Sequence, residues 1–152
     1  MREAIKVGEK MKPFTLKDQY GEEIHIPVQG KRTLLSFHPL AWTGICTQQM
    51  QKLDELYDAF TMHGVIPFGV SVDAAPGKKA WSESMQLKKL KLLCDFWPHG
   101  ALAEALVIFI EKNGTSGRGN ILVGADGKVE WVKVYKLSEM PDFDELLHYL
   151  KK

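Results

Sequence analysis

Cys46 is the residue best placed to do chemistry. It closes the run Pro39-Leu40-Ala41-Trp42-Thr43-Gly44-Ile45-Cys46. Before that run, Thr33 to Phe37 is an apolar stretch of strand length. After it, Met50, Leu53, Tyr57 and Phe60 recur at helical spacing. The thiol therefore falls within the first turn of a helix, on its inward stripe. There it meets unpaired backbone N–H groups and the positive end of the helix dipole. Both favour S⁻ over SH, so the thiol pKa should fall below the free value of about 8.5. A fall of about two units is about 2.7 kcal/mol of preference for the charged form. Only the thiolate is a good nucleophile. A buried cysteine is more often an inert small hydrophobe, but the strand–loop–helix position with Pro39, Thr43 and Gly44 favours a reactive thiol. Cys94 ends the apolar run Leu90 to Phe96 and reads as structural.

Other chemistries fit less well. No Cys-x-x-Cys dithiol motif is present. Two cysteines and the scattered His25, His38, His63, His99 and His148 make no zinc pattern. No glycine-rich phosphate loop occurs. The expectation is no metal and no cofactor. A cysteine hydrolase needs a histidine beside the thiol; His38 is nearest along the chain, but reads as a strand-end residue.

The surrounding elements follow from pattern. Met11 to Val28 reads as a hairpin about Tyr20-Gly21. Gly64 to Val72 is a second strand, with Pro67 arguing for an edge or for pairing that starts late. Leu90 to Cys94 is a third. Asn120 to Val123 and Val129 to Tyr135 flank Ala125-Asp126-Gly127, a hairpin signal. Helices are expected after Thr43, over Gly77 to Leu87, over Ala101 to Leu106, and over Met140 to Leu150, the last with acidic residues early and Lys151-Lys152 at its end. This alternation predicts an α/β fold with parallel strands in the middle and antiparallel strands at an edge.

Composition narrows the class. Residues 1–152 read as one domain, and 45% hydrophobic content with a net charge of +1 excludes disorder. The same neutrality gives no pull toward nucleic acid or an anionic membrane surface. No apolar run spans a bilayer, and Met1 to Lys12 carries no apolar signal region. Two cysteines are too few for a secreted disulfide framework. The expectation is a cytoplasmic protein without nucleic-acid or membrane partners.

The Pro39 to Cys46 run matches the Pro-x-x-x-Thr-x-x-Cys motif of peroxiredoxins. Val7 to Leu16, Gly69-Val70-Ser71-Val72-Asp73, Lys79-Ala80-Trp81, Cys94 to Gly100 and Gly117-Arg118-Gly119 resemble further family segments in the same order. The chain most resembles the AhpE-type one-cysteine class, and is also similar to thiol peroxidases of the bacterioferritin-comigratory-protein type. The resemblance implies a thioredoxin-like fold of peroxiredoxin type: an N-terminal β-hairpin, a central mixed sheet and flanking helices. It implies that Cys46 is the peroxidatic cysteine, that the Thr43 hydroxyl bonds the thiolate and the peroxide, that Pro39 shields the pocket from water, and that Arg118 stabilises the thiolate and polarises the peroxide.

It also implies a thiol-dependent peroxidase that reduces hydrogen peroxide and alkyl hydroperoxides through a Cys46 sulfenic acid. The partners implied are the hydroperoxide, an external thiol reductant (a thioredoxin-like protein or a low-molecular-weight thiol) and a second copy in a homodimer, with Trp42 and Trp97 serving that contact or packing in the core. The chain departs from the family pattern in places. Gln49 stands where Glu is common, Trp42 where Phe is usual, and Cys94 where Ser is common. Gln51 occupies a common resolving-cysteine position. No proline occurs between Pro98 and Pro141, where thioredoxin-type exchangers carry one. Two alternatives remain at this level: a single-cysteine thiol–disulfide exchange protein, and a non-catalytic redox sensor or binding module.

Overall fold

The computed structural model describes residues 4–152; Met1 to Glu3 of the polar N-terminal stretch lie outside them. The N-terminal hairpin pairs β1 (Phe14–Lys17) with β2 (Glu23–Ile26). The Asp18 carboxylate caps its turn, accepting from the N–H of Tyr20 at 2.8 Å and of Glu22 at 3.0 Å. Then come β3 (Arg32–Phe37), α1 (Gly44–Glu55), α2 (Tyr57–Thr61), β4 (Val65–Ser71), α3 (Ala75–Ser84), β5 (Lys91–Cys94), α4 (Ala101–Ala105), β6 (Phe109–Ile110), β7 (Thr115–Ser116), β8 (Arg118–Val123), β9 (Val129–Tyr135) and α5 (Phe143–Leu150).

Seven strands form one sheet in the order β2-β1-β5-β4-β3-β8-β9. The central β5, β4 and β3 run parallel, and antiparallel strands flank them on both sides. Because helices cover both faces, the central strands are apolar on both. Leu35, Phe37, Val70 and Ile121 pack against Leu102 of α4 and Leu106 just after it. Their neighbours Leu34, Leu92 and Leu122 pack on the other face, against Cys46, Met50 and Leu53 of α1, Trp81 of α3 and Leu146 of α5. Each large aliphatic buried this way contributes about 1.5–3 kcal/mol.

Several details differ from the pattern reading. Pro67 lies in an interior strand rather than at an edge. Pairing does start late on one side: β5 joins only from Phe68 onward, so the missing N–H forfeits no bond there. The helix after Thr43 breaks at Leu56 (φ −91°, ψ 5°) into α1 and α2. Helix α3 covers Ala75–Ser84, two residues earlier than its glycine suggested, because Pro76 suits a first turn. Helix α5 begins at Phe143 because the Asp142 carboxylate accepts from Glu145 N–H at 3.1 Å. The short β6–β7 ribbon carries too few residues to show a period. Trp42 and Trp97 are not core residues; they are 57% and 80% exposed. Among the described residues, no helix is long and apolar enough to cross a membrane.

Candidate active site

Cys46 has no exposed surface. It sits in the first turn of α1, whose entry residue Thr43 is extended (φ −93°, ψ 156°) and whose carbonyl accepts the first helical bond, from Thr47 N–H at 2.9 Å. Helix α1 packs tightly on the sheet at Gly69 of β4. A Cβ there would collide with the Met50 sulfur and lie 2.8 Å from Leu92. Met50 is one turn beyond Cys46, so the absence of that side chain sets how deep the thiol lies.

Arg118 reaches the thiol through sheet pairing. Gly119 of β8 is registered against Phe37 of β3, which brings Arg118 to the strand end where the Pro39 loop begins. Its Nη1 donates to Cys46 Sγ at 3.3 Å and to Gln49 Oε1 at 2.7 Å, and its Nε donates to the Leu137 carbonyl at 3.1 Å. Arg118 is 4% exposed. Among the described residues no carboxylate forms an ion pair with it. The guanidinium thus sets a charge-assisted hydrogen-bond donor on the sulfur.

Gln49 is also fully buried. Its Nε2 donates to Ser36 Oγ at 2.9 Å and to the Phe37 carbonyl at 3.1 Å. Ser36 Oγ in turn donates to Asn120 Oδ1 at 2.7 Å, across the β3–β8 pair.

The two remaining expected site residues lie in the loop. Pro39 is half-buried, directly after the strand-end His38. The exposed Thr43 hydroxyl donates to the Leu40 carbonyl at 3.0 Å rather than to the thiol. With its hydrogen engaged there, Thr43 Oγ1 presents lone pairs. The loop is tied down at Ala41, whose N–H donates to Asp73 Oδ2 at 2.9 Å.

His38 is more than a strand-end residue. It is fully buried, and its Nε2 lies 2.8 Å from Nζ of Lys78, also fully buried. Burial and the Lys78 charge hold the imidazole well below its usual range, so it stays neutral. Burial lowers the Lys78 ammonium to about 8, against the opposing pull of Asp73, Cys94 and Cys46. Cys94 is buried against the Asp18 carbonyl, 3.7 Å from its sulfur, and burial pushes its thiol up to about 11. It is a poor nucleophile at neutral pH. Both cysteines are free. No group of three or more His, Cys, Asp or Glu among the described residues is placed to hold a metal.

Ser36, Asn120 and Lys78 are the neighbours that the motif reading did not mark; the signal for the first two is polarity inside apolar runs, Ser36 in Thr-Leu-Leu-Ser-Phe and Asn120 ahead of Ile-Leu-Val.

The AhpC/TSA family model matches residues 7–132. The chain is 31% identical over 140 residues to alkyl hydroperoxide reductase E of Mycobacterium tuberculosis, covering 91% of each chain. It is 32% identical over 156 aligned residues to peroxiredoxin Bcp of Escherichia coli, covering 97% of each. Among solved structures it is similar to Mycobacterium tuberculosis AhpC, at a TM-score of 0.87 and 18% identity over 98% of both chains. It is likewise similar to the reduced 2-Cys peroxiredoxin of Plasmodium vivax, at 0.87 and 24% identity over 95% of this chain and 80% of that one. These last two likenesses concern the fold, which is the thioredoxin-like fold of peroxiredoxins.

Proposed function

The chain belongs to the AhpC/TSA family of thiol-dependent peroxidases, and from that premise we propose that Cys46 is the sulfur that attacks the hydroperoxide. The observation that carries this reading is the 3.3 Å hydrogen bond from the buried Arg118 guanidinium to Cys46 Sγ. A thiolate lone pair attacks one peroxide oxygen. The S–O bond forms as the O–O bond breaks, sulfur is oxidised to the sulfenic level, and the leaving oxygen takes a proton to depart as water or an alcohol. Negative charge grows on that leaving oxygen. Arg118 is the cation within reach of it, held by groups already in place, so no solvent need reorganise. Thr43, with lone pairs facing out, accepts the peroxide O–H and so orients it. Pro39 covers the site from the loop side.

A thiol reductant closes the cycle. It attacks the sulfenic sulfur, water leaves, and a second thiol reduces the resulting disulfide. We place that reductant outside the chain, because burial holds Cys94 as a thiol in β5, against the Asp18 carbonyl. Complete burial of Cys46 also argues against exchange with a protein disulfide as the first step, since a peroxide is far smaller. The 152 residues act as one domain. Trp42 and Trp97 follow the C-terminal ends of the parallel β3 and β5, at one end of the sheet. Their exposure supports a homodimer through that end.

The test is stopped-flow tryptophan fluorescence of the reduced protein mixed with hydrogen peroxide. A fast signal, first order in peroxide and lost in Cys46→Ser, is expected. Oxidation no faster than that of a free thiol overturns the assignment.

A further inference from the structure

The hydrogen bonds behind Arg118 run in one direction. Ser36 Oγ donates to Asn120 Oδ1, Gln49 Nε2 donates to Ser36 Oγ and to the Phe37 carbonyl, and Arg118 Nη1 donates to Gln49 Oε1. Ser36, Gln49 and Asn120 have no exposed surface. At the far end Asn120 Nδ2 is buried with no partner.

That orphan donor needs a physical reason, because burying an unpaired N–H forfeits its bonds to water. The reverse direction would remove it. Asn120 would turn its amide and donate to Ser36 Oγ, and Ser36 would donate to Gln49 Oε1. Gln49 would then point its NH₂ at the Arg118 guanidinium, donor against donor, and the Phe37 carbonyl would lose its partner. The observed direction leaves one donor unpaired at the remote end and presents an acceptor at the reacting end.

We propose that Ser36 and Asn120 are positioning residues of the peroxidase site, acting through the Gln49 amide to hold its oxygen toward Arg118 and thereby the Arg118 Nη1 on the Cys46 sulfur. The inference rests on Cys46 being the reacting thiol. It accounts for Gln49 in the place of a carboxylate. A buried Glu would hold Arg118 as firmly but would cancel its charge, whereas a neutral amide with a fixed oxygen leaves the guanidinium's charge for the thiolate and the peroxide. A free amide can turn either end to its neighbour; this one cannot, because both of its hydrogens are already taken.

The test uses a shape-matched pair. Ser36→Thr keeps the hydroxyl, Ser36→Val removes it at nearly the same volume, and both suit a strand. The rate of Cys46 oxidation by hydrogen peroxide is measured at pH 7, with stability by urea unfolding alongside. A roughly tenfold slower reaction in Ser36→Val, with Ser36→Thr within about twofold of the parent, is expected. Equal rates in all three, with the parent fast, overturn the positioning role. A parent that oxidises only slowly overturns the assignment of Cys46 instead, which separates the two failures.

Should Ser36→Val not fold, the same question is put through Asn120→Leu in two backgrounds. With Gln49 present it slows oxidation; with Gln49→Met, where no amide remains to orient, it adds nothing. Independent, multiplying effects of the two substitutions overturn the proposal.

Discussion

Lys78 is a cation buried in the core, and replacing it tests the electrostatics there directly. It has no exposed surface, and its described hydrogen-bond partner is a neutral histidine, 2.8 Å away. The indole of Trp81 lies 5.5 Å from Nζ. Asp73, Cys94 and Cys46 attract the ammonium, and Arg118 acts on the neighbouring His38, yet burial dominates and Lys78 falls from its ordinary 10.5 to about 8. That interval of about 2.5 pH units, at about 1.4 kcal/mol each, is about 3 kcal/mol.

The direction follows from proton counting. Between pH 8 and 10.5 the unfolded chain holds this proton and the folded chain does not, so stability rises with pH through that window. The penalty is fully present below pH 8, and about 2 kcal/mol of it is relieved by pH 9.5. Cys94 works oppositely. Its thiol is raised from 9 to about 11, so the folded chain keeps a proton that the unfolded chain loses, and stability falls across that range. The two partly cancel in the parent, and only a difference isolates Lys78. The perturbation is therefore Lys78→Met, close in length and uncharged. At pH 7 it relieves about 3 kcal/mol and leaves His38 Nε2 unpaired at about 1–3 kcal/mol, so the variant should lie between unchanged and about 2 kcal/mol more stable. The assay is urea unfolding by tryptophan fluorescence at pH 7, 8, 9 and 9.5. The parent should gain about 2 kcal/mol on the variant across that range. Parallel profiles would refute the reasoning, because they would mean that Lys78 titrates as it does in the unfolded chain.

Arg118→Met should slow Cys46 oxidation by roughly 100-fold or more, with the unfolding midpoint changed far less, since it removes a donor aimed at developing charge. Stopped-flow oxidation checks this, and a parental rate would remove Arg118 from the site. Thr43→Ser should keep most of the peroxide rate while Thr43→Val loses it, because the lone pairs matter more than the methyl; equal rates in the two count against the orienting role. Cys94→Ser should keep most of the peroxidase turnover, and one equivalent of peroxide should leave a Cys46 adduct with dimedone in the mass spectrum. A Cys46–Cys94 disulfide that disappears along with turnover in Cys94→Ser would show that the resolving thiol lies inside the chain.

The parts legible in the sequence are those written within one element or one turn. Pairing of Phe14–Lys17 with Glu23–Ile26, the Asp126-Gly127 turn before β9, the α5 stripe of Phe143, Leu146, Leu147 and Leu150, and the thiol in the first turn of α1 all rest on residues a few positions apart, where spacing alone decides which face a side chain shares. Motif likeness added Arg118, though not how it is held. Contacts between residues far apart in the chain were decided only by the tertiary structure. Arg118 meets Cys46 because β8 registers against β3. The Gln49 amide is aimed because Ser36 and Asn120 face each other across that same pair. His38, read as a strand end, became the buried partner of Lys78 because α3 packs back over the sheet. Pro67, read as a sign of an edge or of pairing that starts late, lies in the interior, where β5 pairs only from Phe68 onward. Periodicity reports which face a residue occupies and says nothing about what lies opposite; that depends on which strand pairs with which, a choice made by the whole core at once.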